Sequence, residues 1–299
     1  MAIMMSTEAP VQPAGVLRDL ALTAVAPMSW GTTYVVTTSL LPPDRPMLAA
    51  TLRALPAGLA LLAVTRRLPR GIWWWRALVL GVLNFGAFFP LLFFAAYRLP
   101  GGVAATISAV QPLVVAMFSL LILRTRPGRA VLGAALAGTA GVGLLTLTAA
   151  AELDLLGIIA MLTATSLMGL AMVLGKKWGR PEGISLLTFT GWQLTVGGLI
   201  LAPATLLTEG LPGTLTMDNT LGYLWLGTVG AILAYALWFR GIERLPATSV
   251  SLLGLTNPLI ATLAGLLILG QTLTPGQLLG FAIALTSLIA GQRAMARTA

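Results

Sequence analysis

The sequence predicts an all-α polytopic membrane protein, with ten transmembrane helices in two inverted five-helix repeats around a central cavity. Three observations predict it. Composition is the first: 57% of the 299 residues are hydrophobic and 9% are charged. A soluble domain carries about 45–50% apolar and about 25% charged residues, so this chain has too little charge to cover a water-exposed surface. Its solvent is mostly lipid. The second is the alternation of basic groups between apolar runs, and the third is a segment that occurs twice.

Ten apolar runs can be marked, at 20–41, 46–65, 73–97, 101–123, 129–149, 155–175, 184–207, 220–240, 246–269 and 275–292. Most approach the ~20 residues needed to cross a hydrocarbon core of ~30 Å. The connections are short, so no soluble domain is inserted. The N-terminus lacks a positive n-region before its first apolar run, which is also too long for a typical signal peptide and reads as a retained span.

With the N-terminus in the cytoplasm, 15 of the 18 Lys and Arg fall on inner segments, at Arg18, Arg66, Arg67, Arg70, Arg76, Arg124, Arg126, Arg129, Lys176, Lys177, Arg180, Arg240, Arg244, Arg293 and Arg297. Arg45 and Arg98 are outer, and Arg53 lies inside a span. That bias places both termini in the cytoplasm; the location expected is a bacterial-type inner (plasma) membrane. It also explains the net charge of +9 without nucleic acid, because the basic groups punctuate apolar runs and do not gather on a soluble face. The run "WWW" at 73–75 sits beside this charge as a headgroup anchor. The partners expected are the bilayer and a small-molecule solute.

The chain contains no cysteine and no histidine. Disulfides, Cys/His metal sites and Cys or His catalysis are therefore excluded. "GLAMVLGKKW" at 169–178 misses the spacing and the final Ser/Thr of a phosphate-binding loop, and Gly141/Gly143 has no strand before it. No cofactor and no ATPase subunit are implied. No acid/base constellation converges, so an enzyme is not expected.

The duplicated segments are "RLPGGVAATISAVQPL", from Arg98, and "RLPATSVSLLGLTNPL", from Arg244. Over 98–123 and 244–269 they agree at 9 of 26 positions, at a constant offset of 146. Gly81 and Gly227, and Phe93 and Phe239, share that offset; Gly58 and Gly198 match at an offset of 140. The chain thus divides into residues 1–150 and 151–299. Five spans is an odd number, so the second copy enters the bilayer from the opposite side. Inverted repeats of this kind characterise many secondary transporters, whose solute sites lie near the midplane between the repeats.

The ordered set "SWGTTYV" (29–35), "LRALPAGLALL" (52–62), "YRLPGGVAATISAVQPLVVAMFSLLIL" (97–123) and "ERLPATSVSLLGLTNPLIATLAGLLIL" (243–269) resembles the drug/metabolite transporter superfamily, EamA-type. The resemblance covers essentially the whole chain, and is strongest to bacterial aromatic amino-acid exporters. It implies a basket of helices with spans 5 and 10 at the periphery, and export of amino acids or related metabolites. Direction comes from the resemblance, because the symmetry itself permits both.

Candidate site residues follow from polarity at depth. Pro112 and Pro258 sit midway along spans 4 and 9, where each displaces the carbonyl four residues back, those of Ser108 and Gly254. Gln111 and Asn257 precede them and put a side-chain amide in each copy. These pairs either line the solute site or only bend the helices. Arg53 is the lone basic residue well inside a span, roughly 10 Å past its start at 1.5 Å per residue; it either attracts a solute carboxylate, or reaches the outer headgroups or caps a helix end. Trp30, Thr33 and Tyr34 in span 1, Asn84 and Phe88 in span 3, Trp192 and Gln193 in span 7, and Tyr235 and Trp238 in span 8 form polar and aromatic stripes. Such stripes serve packing or an amphipathic ligand. No acidic residue sits mid-span, so the expected mechanism is gradient-driven alternating access without a proton relay. A nucleotide sugar or a drug cation is the alternative solute, and a non-transport membrane enzyme or scaffold the more distant alternative.

Overall fold

A computed structural model describes residues 13–43, 45–96, 98, 101–146, 154–268 and 272–296. Among them every regular element is helical. The ten helical spans are α1 (Pro13–Gly31, resuming as Thr33–Leu40), α2 (Pro46–Thr65), α3 (Trp73–Gly81 through Phe88–Ala96), α4 (Gly101–Ser108 and Gln111–Phe118, running on to 123), α5 (Arg129–Thr146), α6 (Leu155–Trp178), α7 (Leu186–Thr208), α8 (Met217–Arg244), α9 (Ala247–Leu253 and Thr256–Ile268) and α10 (Pro275–Ala296). Nine of these, among the described residues, are long and apolar enough to cross a membrane. The other is α1, whose apolar character is diluted by its threonines and serines and whose helix breaks at Thr32.

Local chemistry sets the ends. Pro46 occupies the first turn of α2, where its missing N–H costs nothing. Asp154, Ser185 and Thr216 cap α6, α7 and α8 by accepting from Gly157, Thr188 and Asn219 amides. Arg66 and Arg124 stop α2 and α4 in the left-handed region, with φ of 49° and 57°. Large apolar side chains such as Val64, Leu121, Leu207 and Leu267 are exposed on the outer surface, as lipid-facing positions are.

Two seams of small residues hold the halves together. Gly58 of α2 lies against Thr195 of α7, and Gly198 of α7 against Leu55 of α2. Adding 140 converts 58 to 198 and 55 to 195, so this is one contact made twice. Gly141 of α5 lies against Ala284 of α10, and Gly138 approaches Ser287; here 138 + 146 = 284 and 141 + 146 = 287. Along both seams residue numbers rise on one helix as they fall on the other. Equivalent helices are therefore antiparallel, and a two-fold axis perpendicular to them relates the copies. That is the inversion expected from the odd span count. The approach is as close as backbones allow: a Cβ on Gly58 would come within 2.4 Å of the Thr195 nitrogen, and one on Gly280 within 2.4 Å of the Leu145 nitrogen.

Two irregularities repeat too, whereas a π-helical turn at Ser119–Leu123 of α4 faces regular α-helix in the matching part of α9, up to Ile268. Helix α3 carries a π-helical turn at Val82–Gly86 and α8 one at Thr228–Leu233; 82 + 146 = 228. Helices α4 and α9 break at residues 109–110 and 254–255. Pro112 and Pro258 follow those breaks in the first turn of the next segment. Of the two displaced carbonyls, that of Gly254 accepts from the Asn257 backbone amide at 3.0 Å; at the other break it is Ala109 O, next to Ser108, that accepts from Thr139 Oγ1 at 2.8 Å. The Gly254 carbonyl expected to be loosened is thus satisfied within its own turn.

Candidate functional site between the halves

Helices α1, α2, α3, α7 and α8 meet around a chain of aromatic rings. Trp30 of α1 packs at a tilt against Tyr235 (centroids 4.9 Å apart) and edge-to-face against Trp238 (5.2 Å) of α8. Tyr235 contacts Phe85 of α3 at 4.6 Å and Phe239 at 5.8 Å. Phe239 continues to Phe189, and Phe189 to Trp73 and Trp192. Phe85 leads the other way to Phe89 and Phe88. The chain runs from the face carrying the 66–72 and 179–185 loops toward the opposite face. The first is called the basic face, after Arg66, Arg67, Arg70, Lys176, Lys177 and Arg180.

Arg53 closes the far end. It is 9% exposed, and its guanidinium stands 5.8 Å from the Phe89 ring centroid. Its Nη2 donates to the Gly230 carbonyl at 2.8 Å, and that carbonyl also accepts from Trp30 Nε1 at 3.0 Å. The π-helical turn of α8 makes this possible. The Ala234 amide, which in a regular α-helix would bond Gly230, turns to Val229 and Ala231 instead. Gly230 therefore offers its carbonyl sideways. Arg53 Nε has no hydrogen-bond partner, and no carboxylate among the described residues pairs with this cation. The Arg53 side chain is buried against α8, with its bond to the Gly230 backbone carbonyl.

Asn84 and Gln193 make the corresponding contact nearer the basic face. Asn84 sits in the π-helical turn of α3, and its Nδ2 donates to Gln193 Oε1 of α7 at 2.9 Å. Both residues line a cavity of about 10 Å³, with Leu80, Phe189, Phe239 and Glu243. Glu243 in the cavity wall pairs with Arg180 (2.7 Å), and Lys176 Nζ donates to the Glu243 carbonyl. A larger cavity, about 750 Å³, opens on the basic face between the two loops. Arg66, Arg67, Arg70 and Glu182 line it beside Trp73 and Trp192, and Trp192 Nε1 donates to Arg67 O at 2.7 Å.

The structure brings together Trp30, Arg53, Asn84, Phe88, Trp192, Gln193, Tyr235 and Trp238 among the sequence-derived candidates. Thr33 Oγ1 is buried without a partner beside them in α1. The Tyr34 side chain lies outside the described residues. Ser108 bonds back to Ala104 O in its own helix. Gln111 faces Gly254, whose Cβ, if it had one, would lie 3.4 Å from Gln111 Oε1; the Asn257 carbonyl packs on Gly31. The amides next to the prolines thus sit where α4 meets α9 and α9 meets α1. Sequence reasoning missed Phe85, Phe89, Phe189 and Phe239, which look like lipid-facing residues in an apolar run. It also took Trp73 as a headgroup anchor with Trp74 and Trp75. Those two are exposed, but Trp73 turns inward onto Phe189. Gly230 had a usable signal: its partner in the repeat is Asn84, since 84 + 146 = 230.

The family model described as the EamA-like transporter family matches this chain twice, over residues 18–147 and 155–290. The chain belongs to the EamA-like transporter family. The two matches fall one on each side of the pseudo-two-fold axis. EamA membership makes the protein an integral membrane protein and a transporter of small metabolites. Protein PecM of Dickeya dadantii (strain 3937) is 48% identical over 91% of each chain. The WAT1-related protein At3g02690, chloroplastic, of Arabidopsis thaliana is 27% identical over 87% of this chain and 66% of its own length. The uncharacterized transporter YwfM of Bacillus subtilis (strain 168) is 26% identical over 89% of this chain and 90% of its own. A solved crystal structure, 18% identical, superimposes with a TM-score of 0.80 over 94% of this chain and 99% of that one, the same fold.

Proposed function

We propose that this EamA-family protein exports amphipathic carboxylate-bearing metabolites, large neutral or aromatic amino acids foremost, from the cytoplasm across a bacterial-type inner membrane. The observation that carries the reading is the ring chain ending at Arg53, a buried cation whose hydrogen bond goes to a backbone carbonyl and not to a carboxylate. Rings stack on rings, and a guanidinium fork matches a carboxylate. A solute with one of each fits both ends. The basic face is cytoplasmic on this reading, with both termini, and the 750 Å³ cavity is the solute's inner vestibule. Residues 1–150 and 151–299 rock as two units about the two-fold axis. Transport follows the solute gradient, since no carboxylate among the described residues shares the depth of Arg53. It is not an enzyme.

A second reading has one observation in its favour. Three arginines around the vestibule would suit a phosphorylated solute such as a nucleotide sugar. Proteoliposome counterflow separates the two. Exchange of phenylalanine or tryptophan, with none of UMP or triose phosphate, supports the amino-acid reading, and the reverse ranking overturns it. Uphill accumulation driven by an imposed pH gradient alone would remove the uncoupled mechanism.

A further inference from the structure

The Arg53 and Asn84 contacts are one contact in two chemistries. Arg53 of α2 corresponds to Gln193 of α7, because 53 + 140 = 193, the offset that relates Gly58 to Gly198. Their partners correspond as well: Asn84 of α3 and Gly230 of α8 are 146 apart, and each lies in a π-helical turn. The two-fold axis therefore carries Arg53 Nη2→Gly230 O, at 2.8 Å, onto Asn84 Nδ2→Gln193 Oε1, at 2.9 Å. Each joins a helix of one half to a helix of the other, at equal depth from opposite faces. One is charged and one is neutral.

We infer that these contacts are the two latches of the carrier, and that the charged one, between Arg53 and Gly230, is released by the solute's carboxylate. Separating the neutral pair frees two amides, which water or a zwitterion satisfies readily. Separating the charged pair strips a guanidinium, already short of an acceptor at Nε, of its hydrogen bond at hydrocarbon depth, where a lone cation is costly. A carboxylate reverses that balance. Its two oxygens can bond Nε and Nη2 together, replacing the Gly230 carbonyl and filling the unpaired site. A ligand shifts a conformational equilibrium only by its differential affinity; here the difference is an ion pair formed only after Arg53 leaves Gly230. The empty carrier thus opens toward the basic face and stays shut on the other. The nature of the solute rests on the function proposed above; the latches do not.

The chain has no cysteine, so single introduced thiols report opening without background. Gly227→Cys lies on α8 one turn from Gly230 toward the opposite face, where a Cβ meets nothing closer than the Leu52 carbonyl at 3.9 Å. Leu80→Cys lies one turn from Asn84 toward the basic face, in the narrow cavity. In detergent, a polar maleimide reaches both faces. Adding Arg53→Gln should speed labelling at position 227 about tenfold, as loss of a buried charge-assisted hydrogen bond implies, and leave position 80 unchanged. Asn84→Ala should do the converse. Unchanged labelling at 227, or equal acceleration at both positions, overturns the latches; equal acceleration is also the signature of a misfolded variant, and Arg53→Lys, which keeps the charge but loses the fork, should then fall between. With Arg53 present, phenylalanine or acetate should accelerate labelling at 227, and phenylalaninamide or acetamide should not. No effect from either carboxylate overturns the release step. Failure of the amino-acid reading would appear separately, as absent counterflow with the latches intact.

Discussion

Asn84 and Gln193 show at single-residue scale what a buried amide pair demands. Both are nearly inaccessible, and each provides what the other lacks. Asn84→Leu strands the Gln193 amide and should cost about 1–3 kcal/mol. Replacing both residues by Leu should cost less than the two single changes added together, because no orphan remains. Denaturant unfolding of the four proteins in micelles measures the cycle; strict additivity would mean that the two amides do not depend on each other. The ion pair of Arg180 with Glu243 is different, being partly exposed. Glu243→Gln should change stability by under ~1 kcal/mol and act instead on access to the narrow cavity it lines with Asn84 and Gln193. Gln111→Ala and Asn257→Ala address the amides beside the prolines. If these residues line the solute path, counterflow falls with expression intact; unchanged rates would assign them to helix crossing alone. Much of this scale was legible in the sequence. Polar groups inside apolar runs are few, and Arg53, Asn84 and Gln193 stand out. Phe85 and Phe239 did not, because nothing about a phenylalanine in a hydrocarbon-length run says whether it faces rings or lipid.

Helices in this protein owe their spacing to what is missing from their side chains. The seam of α5 and α10 tolerates no Cβ at Gly141 or Gly280, where the nearest backbone atoms would lie at 2.6 and 2.4 Å. Gly141→Val should therefore lower the yield of monodisperse protein sharply. Gly133, on the same helix, has nothing within 4 Å of a Cβ, and Gly133→Ala should be silent or slightly stabilising, by up to about 1 kcal/mol. Size-exclusion profiles after mild heating would distinguish them, and equal damage from both would contradict the seam. The small-residue spacing announced close packing but not its partner. The π-helical turns were not announced at all, since one extra residue per turn leaves the apolar pattern nearly unchanged.

For the molecule as a whole, the offsets of 140 and 146 were the most informative signal in the sequence. They predicted the inversion that the antiparallel seams display. The offset of 140 also sets Arg53 against Gln193, so the copies differ there by an arginine on one side of the axis and a glutamine on the other. The division at residue 150 makes its own prediction. Residues 1–150 and 151–299 produced as separate chains should recover counterflow when made together in one membrane, and neither should transport alone. Activity from one half alone would show that a half can pair with a copy of itself.

The seams also constrain how the protein is made. During synthesis α2 and α5 enter the membrane before α7 and α10 exist. Their glycine faces, which the finished molecule covers with the other half, meet lipid or insertion machinery first. The first five helices must wait, and a slow second half would leave those faces free to pair with another nascent chain. Assembly of this carrier is thus a closing step that joins its last helix to its fifth, and the time the ribosome takes over residues 151–299 sets how long the membrane holds an unfinished half.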